Sequence, residues 1–240
     1  MKILLSPSKT MDYSSIKSQD ESFDVVSDLT IDLRNALKKL DLEALKTLYK
    51  SSDKVAKEAM QMNNELQTFK AICLFNGAVF KNLDYTTLKT EEKNYIESYV
   101  CIFSALYGLV PANSGISPYR LDLNNVLEPH FKNLTQKWKE PINRFLKNVN
   151  SNLIIDLASV EYRKLIDHKT YDNYYKIDFK DKKGDSYKTV GTYAKMARGQ
   201  FVRAMAQNKV KTLEDIMKLS IMNYTYNSEL STHNHLIFSR

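Results

Sequence analysis

The sequence predicts a mixed α/β (α+β) fold, built as a single domain over residues 1–240. Three observations lead there. Two short apolar runs, residues 2–5 (KILL) and 153–157 (LIIDL), each stop at a polar turn, as buried strands do. Long stretches elsewhere carry leucines and aromatics at steps of three and four, the period of amphipathic helices. No internal repeat, low-complexity tract or linker-like composition divides the 240 residues, and 43% hydrophobic residues supply one large core.

In order, residues 2–5 form the first strand, closed by Ser6-Pro7. Ser8-Lys9-Thr10 then lie at its C-terminal end, where open α/β sheets bind ligands. A solvated loop lysine is the alternative for Lys9. The Lys-Thr pair lacks the glycines of a phosphate-binding P-loop, which excludes that motif. Residues 11–28 are polar and read as an irregular connection. Leu29, Leu33, Leu37 and Leu40 mark one helical face; Leu42, Leu45 and Leu48 mark the next. Ser52 caps a helix beginning at Asp53. Lys54 sits in that first turn, where a cation is mildly disfavoured, which hints at a role beyond helix stability.

Residues 71–80 (AICLFNGAVF) are apolar around Asn76-Gly77, a turn or helix end. Thr90 caps the next helix, with Lys93 at N3, and Tyr95, Tyr99, Ile102 and Phe103 carry its apolar stripe. Residues 103–123 follow, holding two of the six glycines and two of the five prolines. They include Pro118-Tyr119-Arg120, a stiff turn bearing an aromatic and a fork-shaped cation.

A helix is predicted from near Pro129 to about Lys147, with Phe131, Leu134, Trp138, Ile142 and Phe145 on one face and a kink or split at Pro141. Residues 153–157 form the second strand. Ala158-Ser159 is its C-terminal loop, and Glu161-Tyr162 start a short helix. Residues 174–179 and 186–192 flank Lys182-Lys183-Gly184-Asp185, a β-hairpin signal. In the helix over 193–207, Ala194, Ala197, Phe201, Ala204 and Met205 form an apolar arc. Lys195, Gly199 and Arg203 lie opposite, and Arg198 sits at the arc's edge. A mid-helix glycine costs about 1 kcal/mol against alanine. Gly199 is therefore read as a place where a ligand or another backbone comes close, with an ordinary packing glycine as the alternative. Residues 213–219 form a last helix and 236–238 an edge strand.

The net charge of +7, from 35 Lys+Arg and 28 Asp+Glu, favours an anionic partner. No apolar run is long enough for a membrane span or a signal-peptide core, which predicts a cytoplasmic protein without a membrane partner. Cys73 and Cys101 sit in apolar runs and read as buried thiols in a reducing compartment; a lone disulfide is the alternative. His233 and His235 have no identifiable third ligand, and His130 and His168 are isolated, so no metal or other cofactor is expected. Ser6, Ser104 and Ser159 occupy turns without a nucleophile elbow or a histidine partner. Glu161 is the best general base, because it follows a strand-end loop; a first-turn helix carboxylate is the alternative. Lys9, Lys54, Arg120, Lys195, Arg198 and Arg203 are spread over several elements and can converge on one anion-binding cleft. Arginine there offers a bidentate fork and lysine a point charge.

These residues resemble the YaaA family of bacterial proteins. The resemblance rests on Ser6-Pro7-Ser8-Lys9-Thr10, Ser52-Asp53-Lys54, Ser104-Ala105-Leu106-Tyr107-Gly108-Leu109 and Pro118-Tyr119-Arg120-Leu121. It continues through Leu157-Ala158-Ser159-Val160-Glu161-Tyr162, residues 193–199 (YAKMARG) and Arg203. It implies a single α/β domain with a positively charged cleft and a helix-hairpin-helix-like element at about residues 104–109. It also implies binding to duplex DNA, including bubbled or overhanging forms, and protection against peroxide with lower free intracellular iron. The anion-binding set it implies is Lys9, Lys54, Ser104, Tyr107, Gly108, Tyr119, Arg120, Ser159, Lys195, Arg198 and Arg203. The chain departs from the family pattern at Ala105, Pro111-Ala112, Ser114 and the run Phe75-Asn76-Gly77-Ala78, which together remove two cations and two carboxylates. Two functions follow as expectations: a sequence-tolerant DNA-binding protein of peroxide stress, or an enzyme on a small anionic, nucleotide-like substrate. In the second, Lys9, Arg120 and Lys195 hold the anion and Glu161 moves a proton.

Overall fold

Strand β1 (Lys2–Leu5) lies at the middle of the sheet that organises the chain. Ile3, Leu4 and Leu5 are fully buried, as a strand covered on both faces requires. The computed structural model describes residues 1–14, 26–127, 131–149 and 151–240. After β1 come α1 (Asp28–Lys38), α2 (Leu42–Tyr49), α3 (Asp53–Asn64), β2 (Phe69–Lys70), α4 (Ala71–Leu74), α5 (Ala78–Leu83) and α6 (Thr90–Tyr99). The chain continues through β3 (Val100–Ser104), β4 (Gly108–Pro111), β5 (Gly115–Ile116), α7 (Leu134–Asn148), β6 (Ile154–Asp156) and α8 (Val160–Arg163). It closes with β7 (Tyr174–Lys183), β8 (Ser186–Lys188), α9 (Gly191–Gln207), α10 (Leu213–Met217), β9 (Thr225–Tyr226) and β10 (His235–Ser239).

The main sheet runs β4-β3-β1-β6-β7-β10-β9, with β8 paired to β7. The β3, β1, β6, β7 and β10 pairings are parallel, and β4, β8 and β9 add antiparallel partners, so the sheet is mixed. Strands β2 and β5 pair separately. From β1 the sheet extends through β3 on one side and β6 on the other. The crevice at the carboxyl ends of β1 and β6 is thus a switch point of the kind that binds ligands in open α/β sheets. No helix among the described residues is long and apolar enough to cross a membrane.

Several local expectations shift. Part of the connection read over residues 11–28 lies outside the described residues, and Asp28 already belongs to α1. Ser52 is the N-cap of α3, but its side chain makes no capping bond. Helix α6 is capped one residue earlier than the sequence reading: Lys89 is the N-cap, and Glu92 at N3 accepts from the Lys89 N–H at 2.8 Å. A carboxylate at that position satisfies an orphan donor, which a lysine does not. Helix α7 starts at Leu134, because Asn133 caps it and Phe131 is held in a bridge to Leu127; Pro129 lies outside the described residues. Pro141 sits inside α7 without splitting it. The tail strand β10 is not an edge, since β7 and β9 pair to its two sides. Gly184 turns the β7–β8 hairpin at φ +59°, as the sequence predicts.

Gly199 is buried against α5, and a Cβ there would lie 2.1 Å from the Val79 carbonyl oxygen. The approaching backbone is therefore that of another helix. Residues 104–109, which the resemblance assigns to a helix-hairpin-helix-like element, form the turn between two antiparallel strands, β3 and β4. The flanking elements are strands because the run VCIFS is buried throughout and pairs with β1. Gly108 takes φ +81°, and a Cβ there would lie 2.6 Å from the Trp138 ring. The Trp138 indole N–H donates to the Ala105 carbonyl at 2.8 Å, which closes the turn against α7. Both thiols are free: Cys101 is buried and Cys73 half-buried.

Candidate functional site

The loops that leave β1 and β6 are tied to each other. The Leu157 N–H donates to the Leu4 carbonyl at 3.0 Å, and the Ser159 N–H donates to the Ser6 hydroxyl at 2.8 Å. On the other flank, Thr10 and Asn76 exchange bonds: the Thr10 hydroxyl reaches the Asn76 carbonyl, and the Asn76 N–H returns to the Thr10 carbonyl. Gly77 follows because Ser8 presses on it; a Cβ there would lie 2.4 Å from the Ser8 hydroxyl. The Asn76-Gly77 signal is thus the site where the β1 loop meets the start of α5.

These loops enclose a cavity of 430 Å³. Lys9, Lys195 and Arg198 bring cations to it, and Asp122 and Glu161 bring carboxylates. Ser6, Ser8, Thr10 and Ser159 add hydroxyls, while Pro7, Phe80 and Leu157 add apolar wall. The size lies in the range of small-molecule sites. Lys9 is exposed and pairs with Asp122 at 2.8 Å. Glu161 accepts from the Asn124 side-chain amide at 3.0 Å. Burial, and then the neighbouring Asp122 charge, push the Glu161 carboxyl above its ordinary range, against the pull of Lys9 and Lys164. A carboxyl moved toward neutrality suits proton transfer.

Two buried donors in this wall lack partners. The Tyr162 hydroxyl and the Arg198 Nε make no hydrogen bond with the described residues. Tyr162 is only 5% exposed. Burial raises its phenol well above the usual range, so the group stays protonated and can donate.

Not all of the expected residues meet here. Lys9, Ser159, Glu161, Lys195 and Arg198 share the cavity. Arg120 does not line it: its guanidinium lies over the Tyr49 ring at 5.4 Å, and its backbone is held by Asn63 and Tyr49. The turn 118–120 instead delivers Asp122. Arg203 donates to the Leu83 and Asp84 carbonyls at 2.9 Å, closing the C-terminus of α5. Lys54 is exposed on α3. The Ser104 hydroxyl takes the N–H groups of Leu106 and Tyr107 and pairs with the Tyr119 hydroxyl at 2.7 Å. The Tyr107 hydroxyl receives Arg34 at 2.8 Å and the Ser117 N–H at 3.0 Å. Gly108 stays under Trp138.

Sequence reasoning missed Asp122, Tyr162 and Arg34. Arg34 sits beside Leu33 on α1, where an arginine reads as solvated, yet it bonds the Asn63, Glu65, Ser117 and Pro118 carbonyls. It also missed a buried ion network. Asp156, fully buried at the end of β6, faces Arg163 at 3.3 Å and accepts from the Tyr174 hydroxyl. Arg163 also grips Asp178 through both carboxylate oxygens, at 3.0 and 2.9 Å. Asp178 further takes His235 at 2.7 Å, with Arg198 at 3.8 Å. A lone aspartate inside the run LIIDL is the signal that could have exposed this, because a buried charge needs a partner. Part of this network lines a second cavity of 720 Å³, whose wall includes Arg163, Tyr174, Asp178 and His235 and whose rim carries Lys139, Lys164, Lys169 and Lys176.

Comparison with known proteins identifies the family of the chain. Residues 1–230 match the family model described as peroxide stress protein YaaA. The chain belongs to the YaaA family. It is 33% identical to a UPF0246 protein of Agathobacter rectalis, over 100% of this chain and 99% of the relative. UPF0246 proteins of Francisella tularensis and Francisella philomiragia are 32% and 31% identical over the full length of both chains. The chain spans all or nearly all of the length of these relatives.

Proposed function

We propose that this YaaA-family protein binds a small phosphorylated, nucleotide-like anion in the 430 Å³ cavity. Lys9, Lys195 and Arg198 hold the anion, and Glu161 serves as acid or base. One observation carries the reading: three cations and a carboxyl displaced toward neutrality gather in one pocket at the carboxyl ends of adjacent parallel strands. Apolar wall from Pro7, Phe80 and Leu157 suits the flat body of such a ligand. The test is a thermal melt across inorganic pyrophosphate and a panel of nucleoside mono-, di- and triphosphates. At least one is expected to raise Tm in the wild type. Lys195→Ala, an exposed position, leaves the unliganded Tm unchanged and weakens that ligand about tenfold. No shift with any member of the panel sinks the reading.

A second reading is sequence-tolerant DNA binding within the peroxide stress response. It is supported by the net charge of +7 and by exposed lysines, Lys54 and Lys195, with Lys9 beside its Asp122 partner, that can meet a phosphate backbone. It predicts that fluorescence anisotropy detects duplex or bubbled DNA at low salt and loses the signal steeply as salt rises. The link to limiting intracellular free iron rests on the family resemblance alone, and no residue of the cavity is assigned to it.

A further inference from the structure

We propose that the Tyr162 hydroxyl is a specificity-determining ligand donor: it bonds an acceptor oxygen of whatever anion occupies the 430 Å³ cavity, and so selects ligands that carry one. This rests on the small-anion reading above. The argument starts from cost. A buried hydroxyl without a partner loses its hydration and gains nothing in return. Its neighbours show that the fold does satisfy buried tyrosines where they are structural. Tyr119 pairs with Ser104, Tyr107 with Arg34 and Ser117, Tyr95 with the Val210 carbonyl, Tyr174 with Asp156, and Tyr224 with Asp181. Tyr162 is as buried as these, lines the cavity, and has no partner among the described residues.

Packing does not require the hydroxyl. The ring lies 5.7 Å from that of Phe103, a contact phenylalanine preserves. Nor does neutral charge management require it, because the phenol stays protonated and carries no charge. What remains is donation into the cavity. The Arg198 Nε, also unpartnered and in the same wall, makes the acceptor an anion rather than a neutral carbonyl. Lys9 meets the anion from the exposed rim, beside Asp122, so deep selection falls to Tyr162 and Arg198. Phosphate and carboxylate share this chemistry, and the experiment separates them.

The experiment compares wild type with Tyr162→Phe in two measurements. First, the ligand-free melt: deleting an unpartnered buried hydroxyl leaves Tm unchanged or raises it. A fall of several degrees, or an unfolded variant, means the hydroxyl is held by the protein and overturns the inference. Second, titration calorimetry with inorganic pyrophosphate, AMP, ADP and citrate. The probe the wild type binds best should bind the variant about tenfold or more weakly, the loss expected for one hydrogen bond to a charged acceptor. Citrate binding best identifies a carboxylate; pyrophosphate or nucleotide binding best identifies a phosphate. Equal affinity in the two proteins means the hydroxyl does not reach the ligand and overturns this inference while leaving the small-anion reading intact. A wild type that binds none of the probes overturns both.

Discussion

Two cavities share α8 as a wall, and they differ in how their polar groups are spent. On the Arg163 side the carboxylates are all paired: the guanidinium's terminal nitrogens are divided between Asp178 and the Asp156 and Ile177 carbonyls, its Nε makes no hydrogen bond but lies 3.3 Å from Asp156, and His235 and Tyr174 complete the carboxylates. On the Glu161 side, among the described residues, the Tyr162 hydroxyl and the Arg198 Nε lack a hydrogen-bond partner, although the Arg198 terminal nitrogen lies 3.8 Å from Asp178, and Glu161 accepts from Asn124. A closed network holds a fold in register; an open one is available for a ligand. Cation number alone does not mark the ligand site, because the four rim lysines of the larger cavity outnumber the three cations of the smaller one.

The sharpest way to break this contrast is Arg163→Met. It leaves fully buried Asp156 without its cation and Asp178 with only His235 and the more distant Arg198. The expected loss is about 3–5 kcal/mol, or roughly 10 °C in Tm for a chain of this size. A loss below about 1 kcal/mol on a denaturant curve would show that the network is not structural, and the contrast would collapse. Asp178→Asn comes next. Burial raises the Asp178 carboxyl, but the bonds from His235 and Arg163 outweigh it and bring its pKa down to about 2. A carboxyl depressed in the fold stabilises above its unfolded value and loses that contribution as pH falls toward 2. Between about pH 4 and pH 2 the wild type should therefore lose roughly 2 kcal/mol that the asparagine variant, already without it, does not. Acid titrations of both proteins by circular dichroism check this.

Glu161→Gln should have the smallest effect on stability, within about 0.5 kcal/mol, and it sharpens the open side. The carboxyl is raised by burial and by Asp122, so an anion should bind more weakly as pH climbs through its titration and the negative charge appears. The glutamine variant should flatten that dependence in titrations from pH 5 to pH 8. An identical pH profile in both proteins would remove Glu161 from the site.

Much of this was legible in residue order. The strands were readable because KILL and LIIDL are apolar runs ending in polar turns, and the strand-end rule then placed Lys9, Ser159 and Glu161 together. Lys195 and Arg198 followed from helical period on α9. The destinations of Arg120 and Arg203 were not legible. A long side chain at a turn or helix face settles on whichever partner the tertiary fold supplies, here the Tyr49 ring and the end of α5. Thr90 was read as a cap from residue type alone, whereas a carboxylate one position away from the assumed frame satisfied the backbone. Arg34 was hidden for a similar reason: nothing local marks an arginine whose partners are carbonyls far along the chain.

Trp138 has a consequence of another kind. It is the sole tryptophan, it is buried, and it seals the β3–β4 turn; it is not itself a lining residue of either cavity. The molecule thus contains a single indole, excited at wavelengths its 15 tyrosines do not absorb, that reports on the integrity of the sheet's β4 end. Emission changes belong to unfolding, calorimetric heats belong to binding, and the two signals can be read in one sample without a label.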